Sequence, residues 1–233
     1  IRWIHLYLFY KKLSYEEIVS RDDIPELYQI TDKYSFKMDI ISPIICLTHN
    51  NLGSPFVIGI RKPKLVLSPK LIKELNYTET KVLILHELSH IKRKDNFINW
   101  ISLILKDLLF FNPVAYITYY LIKFEQERGA DKIALKFLNN NKRDMAIDTL
   151  NLIIKIKSLN ENRNLSNSYL SSIYTPFKRI NFKLLSIRIN NILNCNINKI
   201  KMNKFSKLFV FILFIFMLFL QILFLIKINN NPI

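Results

Sequence analysis

The sequence predicts an α+β membrane protein, mostly helical, with a small β-sheet, a hydrophobic helical hairpin and a C-terminal transmembrane helix. Three observations predict it. The run LFVFILFIFMLFLQILFLI, residues 208–226, has nineteen residues without a charge. At about 1.5 Å per residue it can cross a hydrocarbon core of roughly 30 Å. Two runs rich in β-branched residues, 39–48 and 55–68, stand in an otherwise helical pattern. The apolar stretch 97–122 is interrupted by Lys106–Asp107 and by Asn112–Pro113. The expected organisation is the end of a preceding membrane or interfacial helix at 1–13, a cytoplasmic domain at 14–207, and the span at 208–228.

Local chemistry gives the elements in order. The opening IRWIHLYLFY reads as the tail of an apolar helix, with Trp and Tyr near an interface and Lys11–Lys12 on the cytoplasmic side. The chain begins at Ile1 rather than Met, so it reads as a fragment with sequence missing upstream. Residues 14–36 carry most of the N-terminal acids and read as soluble helix broken near Pro25. DIISPIICLT (39–48) and PFVIGIRKPKLVLS (55–68) read as strands, with Asn50–Gly53 as the turn between them. Pro63 cannot donate to a central ladder, so the second run is either two strands or an edge strand with a bulge. Helices are expected at 69–75, 77–93, 97–110, 114–138, 145–158 and 176–193, with loops at Asn139–Asn141 and across the Ser/Asn-rich 158–175.

The formal charge of +16 on 233 residues invites a nucleic-acid reading. Its distribution argues against one. Between Asn162 and Lys207 there is no Asp or Glu and a succession of Lys and Arg, whereas beyond the apolar run only Lys227 is basic. That asymmetry puts the body of the chain in the cytoplasm and the C-terminus outside, and it suits anionic lipid headgroups. No nucleic-acid motif accompanies the charge, so direct nucleic-acid binding is not expected. Cys46 and Cys195 lie far apart with no CxxC, which fits a reducing compartment or two buried thiols.

One stretch carries chemistry. VLILHELSHIKRKDN, residues 82–96, holds two of the four histidines, four positions apart. Asn76 followed by Glu79 fits a capping box and starts a helix there. On that helix His86 and His90 stack one turn apart and can aim at a single point, with Glu87 close to their line. This is the basis of H-E-x-x-H: two zinc ligands and a carboxylate placed to take a proton from water. Downstream, EQERGADKIALKF (125–137) puts Glu127 and Asp131 one turn apart, separated by the small Gly129 and Ala130. Glu127 can supply a third ligand, and Asp131 can accept the free N–H of a ligating histidine. Asp95 is a second candidate for that supporting role.

The zinc reading constrains what lies between. If 97–122 crossed a membrane, His90 and Glu127 would end some 30 Å apart. A hairpin turning near Asn112–Pro113, about fourteen residues out and back, keeps both on one side.

Taken together, HELSHIKRKDN, an apolar hairpin with Asn-Pro, and ERGAD resemble the zinc peptidase domain of the BlaR/MecR family of bacterial antirepressors and sensor-transducers. SPFVIGIRKPKLVLSP is similar to that family's segment ahead of the metal helix, and FKLLSIRINNIL resembles its basic helix before the last span. Most members have Cys where Ala130 stands, and members that sense β-lactams carry a large domain after the last span.

The resemblance implies a zincin-like, gluzincin-type fold with His86, His90 and Glu127 on zinc and Glu87 as general base. It implies a multi-pass cell-membrane protein that cuts a cytoplasmic protein, a repressor in particular, and itself in the tether from Ser158 to Lys207. The strand around 56–67 is the expected substrate cradle, with Val57, Gly59 and Arg61 in it. Oxyanion donors stay open among Arg179, Arg188, Tyr169 and Tyr174. Partners expected are the protein substrate, the lipid bilayer and a second copy of the chain as a homodimer. The alternatives are an HtpX- or CAAX-protease-like quality-control peptidase, disfavoured because Thr175–Pro176 stands where those enzymes have His-Pro, and a non-catalytic receptor with structural zinc, disfavoured by an intact Glu87.

Overall fold

Short runs of β-branched and aliphatic residues pair early in the chain, in a computed structural model that describes residues 17–48, 54–138, 142–161 and 182–194. Strands β1 (Glu17–Ile18), β2 (Ile44–Leu47), β3 (Phe56–Ile58) and β4 (Lys64–Leu67) form one sheet in the order β1-β2-β4-β3. β2 runs parallel to β4, with Ile45 opposite Leu65, and the outer strands pair antiparallel. The run 55–68 is therefore two strands, and β3 is an edge. Pro63 sits between them, and its carbonyl accepts from the Ile44 amide at 3.0 Å. Gly59 makes the turn with φ +86°, where a Cβ would lie 2.5 Å from the Lys62 carbonyl oxygen.

Seven helices occur among the described residues: α1 (Pro25–Lys37), α2 (Pro69–Glu74), α3 (Tyr77–Arg93), α4 (Asp95–Leu108), α5 (Pro113–Leu138), α6 (Lys142–Glu161) and α7 (Phe182–Leu193). Pro25 starts a helix instead of breaking one, because the first helical position needs no amide donor. The segment ahead of it supplies β1. Asn112 and Pro113 turn the chain between α4 and α5, with the Asn112 side chain accepting from the Val114 amide.

The chain divides into two units, Ile1–Cys195 and Asn196–Ile233, and every described element belongs to the first. Within it α3 is the central helix. It packs on α1, α5, α6 and β3. Its Ile84, Leu85 and Leu88 are fully buried with Met38, Ile45 and Leu65.

The expected fold class is corrected in one respect. No helix among the described residues is long and apolar enough to cross a membrane. The longest, α5, has 26 residues, but its second half carries Lys123, Glu125, Glu127 and Arg128. α4 carries Lys106 and Asp107. The C-terminal transmembrane helix expected at 208–228 therefore finds no support among the described elements. Residues 208–228 lie outside the described residues, as do 1–13, the Asn50–Gly53 turn and most of the 158–207 tether.

The start of α3 is fixed by polar contacts. The Asn76 side chain accepts from the Glu79 amide at 2.8 Å, and the Glu79 carboxylate accepts from the Asn76 amide at 3.0 Å. Glu79 is buried, and Lys155 from α6 meets its other demand for charge at 2.6 Å. Replacing Asn76 with Ala is expected to lower the unfolding free energy by about 1 kcal/mol. Lys155→Met is expected to lower it further, because it leaves the Glu79 carboxylate buried without its cation. Urea denaturation of the two variants, compared at constant slope, checks both.

Candidate metal centre

α3 presents His86 and His90 on its α5-facing side, and α5 brings Glu127 against them. The His86 and His90 Nε2 atoms are 3.2 Å apart. Glu127 Oε2 lies 3.4 Å from His86 Nε2, and its Oε1 lies 3.7 Å from His90 Nε2. One ligand atom from each of the three can be chosen so that all lie within 4.8 Å of one another.

The remaining ring nitrogens decide what those atoms are. His90 Nδ1 is 2.8 Å from Asp95 Oδ2, and His86 Nδ1 is 3.1 Å from Asp131 Oδ1. A carboxylate only accepts, so each Nδ1 carries the proton and each neutral ring turns its Nε2 lone pair inward. Two lone pairs and a carboxylate then face one another with no proton to share. Only a cation satisfies them. Donors on a tetrahedral ion at bond lengths of about 2.0–2.1 Å stand roughly 3.3 Å apart, so this set fits zinc.

Without a metal, a proton substitutes. Burial disfavours a charged His86, but Asp131 and Glu127 outweigh it and raise the imidazole from 6.5 to about 10. Burial opposes ionisation of Glu127 too, yet His86 and Arg188 hold its carboxyl well below the usual carboxylate range. Asp131 is likewise held down against burial, chiefly by the Arg188 guanidinium. Glu87, 7% exposed, is pushed up by burial, which outweighs the nearby His90 and His86. Lys123, one turn before Glu127, is lowered to about 8 by burial, against the pull of Glu127 and Asp95.

The joint between α3 and α4 places Asp95. Lys94 adopts the left-handed conformation, φ 57°, and its amide closes the helix on the His90 and Ile91 carbonyls. For a residue with a Cβ that conformation is disfavoured by about 1 kcal/mol. It turns the chain so that Asp95 reaches back to His90. Arg93 Nε donates to Asp95 at 3.2 Å, and its guanidinium lies on Gly129 of α5, where a Cβ would stand 2.0 Å from Nη1. Gln126 donates to the Asp95 carbonyl at 3.4 Å.

Of the residues expected from the sequence, the structure brings together His86, Glu87, His90, Asp95, Glu127 and Asp131. Val57 and Gly59 lie on and just past the edge strand, where both carbonyls accept from the Asn96 side chain at 3.0 and 3.1 Å. Arg61 is exposed in the turn that follows. Sequence reasoning missed Arg93, Asn96 and Lys123. It had Arg188 only as one of several oxyanion donors, whereas the structure puts it on Glu127 and Asp131. The signal for Asn96 was adjacency to Asp95 at the helix joint; Arg188, 57 positions from Asp131, left none.

A model of the BlaR1 peptidase M56 family matches residues 3–175. The chain is similar to the methicillin resistance mecR1 protein of Staphylococcus aureus, 32% identical over 106 residues, which are 45% of this chain and 18% of that protein. It is similar to the regulatory protein BlaR1 of Bacillus licheniformis, 33% identical over 130 residues, 55% of this chain and 21% of that one. A protease HtpX homolog of Pyrococcus furiosus is 32% identical over 91 residues, 38% of this chain and 31% of that one. The matched region thus spans about a fifth of the BlaR1 and mecR1 proteins and under a third of the HtpX homolog.

The proton on His86 makes the metal-free protein sensitive to pH. The unfolded chain releases that proton near 6.5, while the folded state keeps it to about 10. Its stabilisation is therefore complete below pH 6.5 and is lost as pH rises towards 10. Glu87, pushed up by burial, tilts the profile the same way at lower pH. Urea denaturation of chelator-treated protein is expected to show stability falling from pH 6.5 to about 8, above which the lowered Lys123 offsets the His86 loss, and saturating zinc is expected to remove that fall.

Proposed function

This chain belongs to the BlaR1 peptidase M56 family, and from that premise we propose that it is a zinc metalloendopeptidase that hydrolyses peptide bonds in a protein substrate. The observation that carries the reading is the convergence of His86 Nε2, His90 Nε2 and the Glu127 carboxylate, with buried Glu87 beside them. His86, His90 and Glu127 would hold the ion. Zinc, when bound, supplies Lewis acidity that polarises a peptide carbonyl and makes water easier to deprotonate. The chain's own residues do the rest. Asp131 and Asp95 hold the two Nδ1 protons, which keeps both Nε2 lone pairs turned inward. Glu87 takes the proton of the attacking water and delivers it to the leaving amine. An extended substrate pairs along the edge near Val57, Gly59 and Arg61, where its amides exchange with the Asn96 carboxamide.

The substrate we propose is a cytoplasmic regulatory protein, a repressor in particular, with the chain itself as a second one. Similarity to a protein named for regulation supports that choice over general proteolysis, although the chain is also similar to an HtpX homolog. Phe97, Ile101, Leu108, Phe111, Ile117 and Leu121 of the α4–α5 hairpin are exposed, which supports a place against lipid.

Purified protein is expected to hold one zinc per chain, and His86→Ala, His90→Ala or Glu127→Ala to lose it. Glu87→Gln is expected to keep the metal and lose peptidase activity by about 10²–10⁴-fold. Metal analysis beside peptide-cleavage assays decides it: full activity in Glu87→Gln sinks the mechanism.

A further inference from the structure

Arg188 comes from α7, far along the chain from the metal motif, and its side chain is 19% exposed. It closes a fork on Asp131, with Nε 2.9 Å from Oδ2 and Nη2 2.7 Å from Oδ1. Its third nitrogen, Nη1, lies 3.3 Å from Glu127 Oε2. Glu127 and Asp131 are one turn apart on α5, and like charges at that spacing repel. Both also approach His86, one at each ring nitrogen. A single planar cation therefore holds two carboxylates that grip opposite ends of one imidazole.

Two roles fit an arginine beside such a site. It could donate to the oxyanion that develops on a substrate carbonyl, or it could fix the carboxylates. The geometry separates them. The fork is closed on Asp131, and the remaining nitrogen is turned to Glu127, so all three guanidinium nitrogens are engaged with carboxylates. Lys in its place would keep the charge and lose the fork.

We propose that Arg188 is a positioning residue: it holds Glu127 and Asp131 so that His86 Nε2 and a Glu127 oxygen face the ion together. It thereby makes docking of α7 a condition of tight metal binding. This rests on the metal reading above. It adds a fourth element to the centre, after α3, the α3–α4 joint and α5.

Zinc affinity of the full 233-residue chain, measured by competition with a chromophoric chelator, tests the proposal. Arg188→Gln is expected to weaken zinc binding about 10–100-fold, and Arg188→Lys to fall between it and wild type. In an Asp131→Asn background, Arg188→Gln is expected to weaken binding much less, because the fork it breaks is already gone. With zinc saturating, KM is expected to stay at the wild-type value and kcat to recover to within a few-fold. Unchanged zinc affinity with kcat lowered about 10²–10³-fold at full occupancy would mark an oxyanion donor and overturn the proposal. Should Arg188→Gln fail to fold, the Arg188→Lys affinity decides: wild-type affinity there rejects the fork. A wild-type chain that takes up no zinc overturns the metal reading and this proposal with it. Zinc uptake by wild type that Arg188→Gln matches overturns this proposal alone.

Discussion

Two imidazole lone pairs and a carboxylate are held in contact with no proton of their own to share, and much of the molecule is arranged to keep them there. Left free, the rings would rotate and water would solvate them. Each is instead pinned from behind, His90 by Asp95 and His86 by Asp131. Those two acids are pinned in turn by Arg93 and Arg188. The pattern is a chain of alternating charge from the centre outward: donor, carboxylate, guanidinium. Removing an outer arginine leaves a buried carboxylate without its cation, so Arg93 acts on His90 through Asp95, while Arg188 acts on His86 through Asp131 and on Glu127 directly.

The fold supplies rigidity where this chain of charge needs it. α3 is locked at its start by the Asn76–Glu79 box and the Lys155 ion pair, and at its end by the Lys94 cap. Between those ends its apolar face is buried against the sheet and three helices. The strained Lys94 conformation is small beside what it positions, since it returns Asp95 to His90 within one residue of the helix end. Asn96, the next residue, ties the same joint to the edge strand. His90, its partner Asp95 and the Asn96 tie to the edge strand thus meet at one helix joint. A shift in β3 reaches His90 through two adjacent side chains.

Local patterns made the centre legible and remote ones did not. HELSH and ERGAD place their residues by helical period alone, so the meeting of His86, Glu87, His90 and Glu127 could be read from spacing, and the breakers at Asn112–Pro113 indicated how the two motifs meet. The α3 start was legible because Asn76 and Glu79 are three apart. Pro25 was misread as a break because proline is compatible with the first turn as well as with an interruption, and the sequence does not say which. The apolar run at 208–226 lies outside the described residues, whose helices include none long and apolar enough to cross a membrane. Arg188 could not be located because guanidinium forks form in three dimensions, and several basic residues of that region were equivalent by composition.

Gly129 shows how a local reading can be right about size and incomplete about cause. Small residues between Glu127 and Asp131 suggest close helix approach, and Ala130 is indeed fully buried. What occupies the space at Gly129, however, is the tip of Arg93, not helix backbone. Its guanidinium fills the place a side chain would take, and its Nε donates to Asp95. A flexible tip can move aside, so the fold would tolerate a methyl group at 129. The Arg93–Asp95 contact would not, and the orientation of His90 depends on Asp95. The glycine in ERGAD therefore acts on the first motif from within the second. The two motifs are coupled beyond their candidate ligands: α5 contributes both Glu127 and the gap that lets the Arg93–Asp95 contact form.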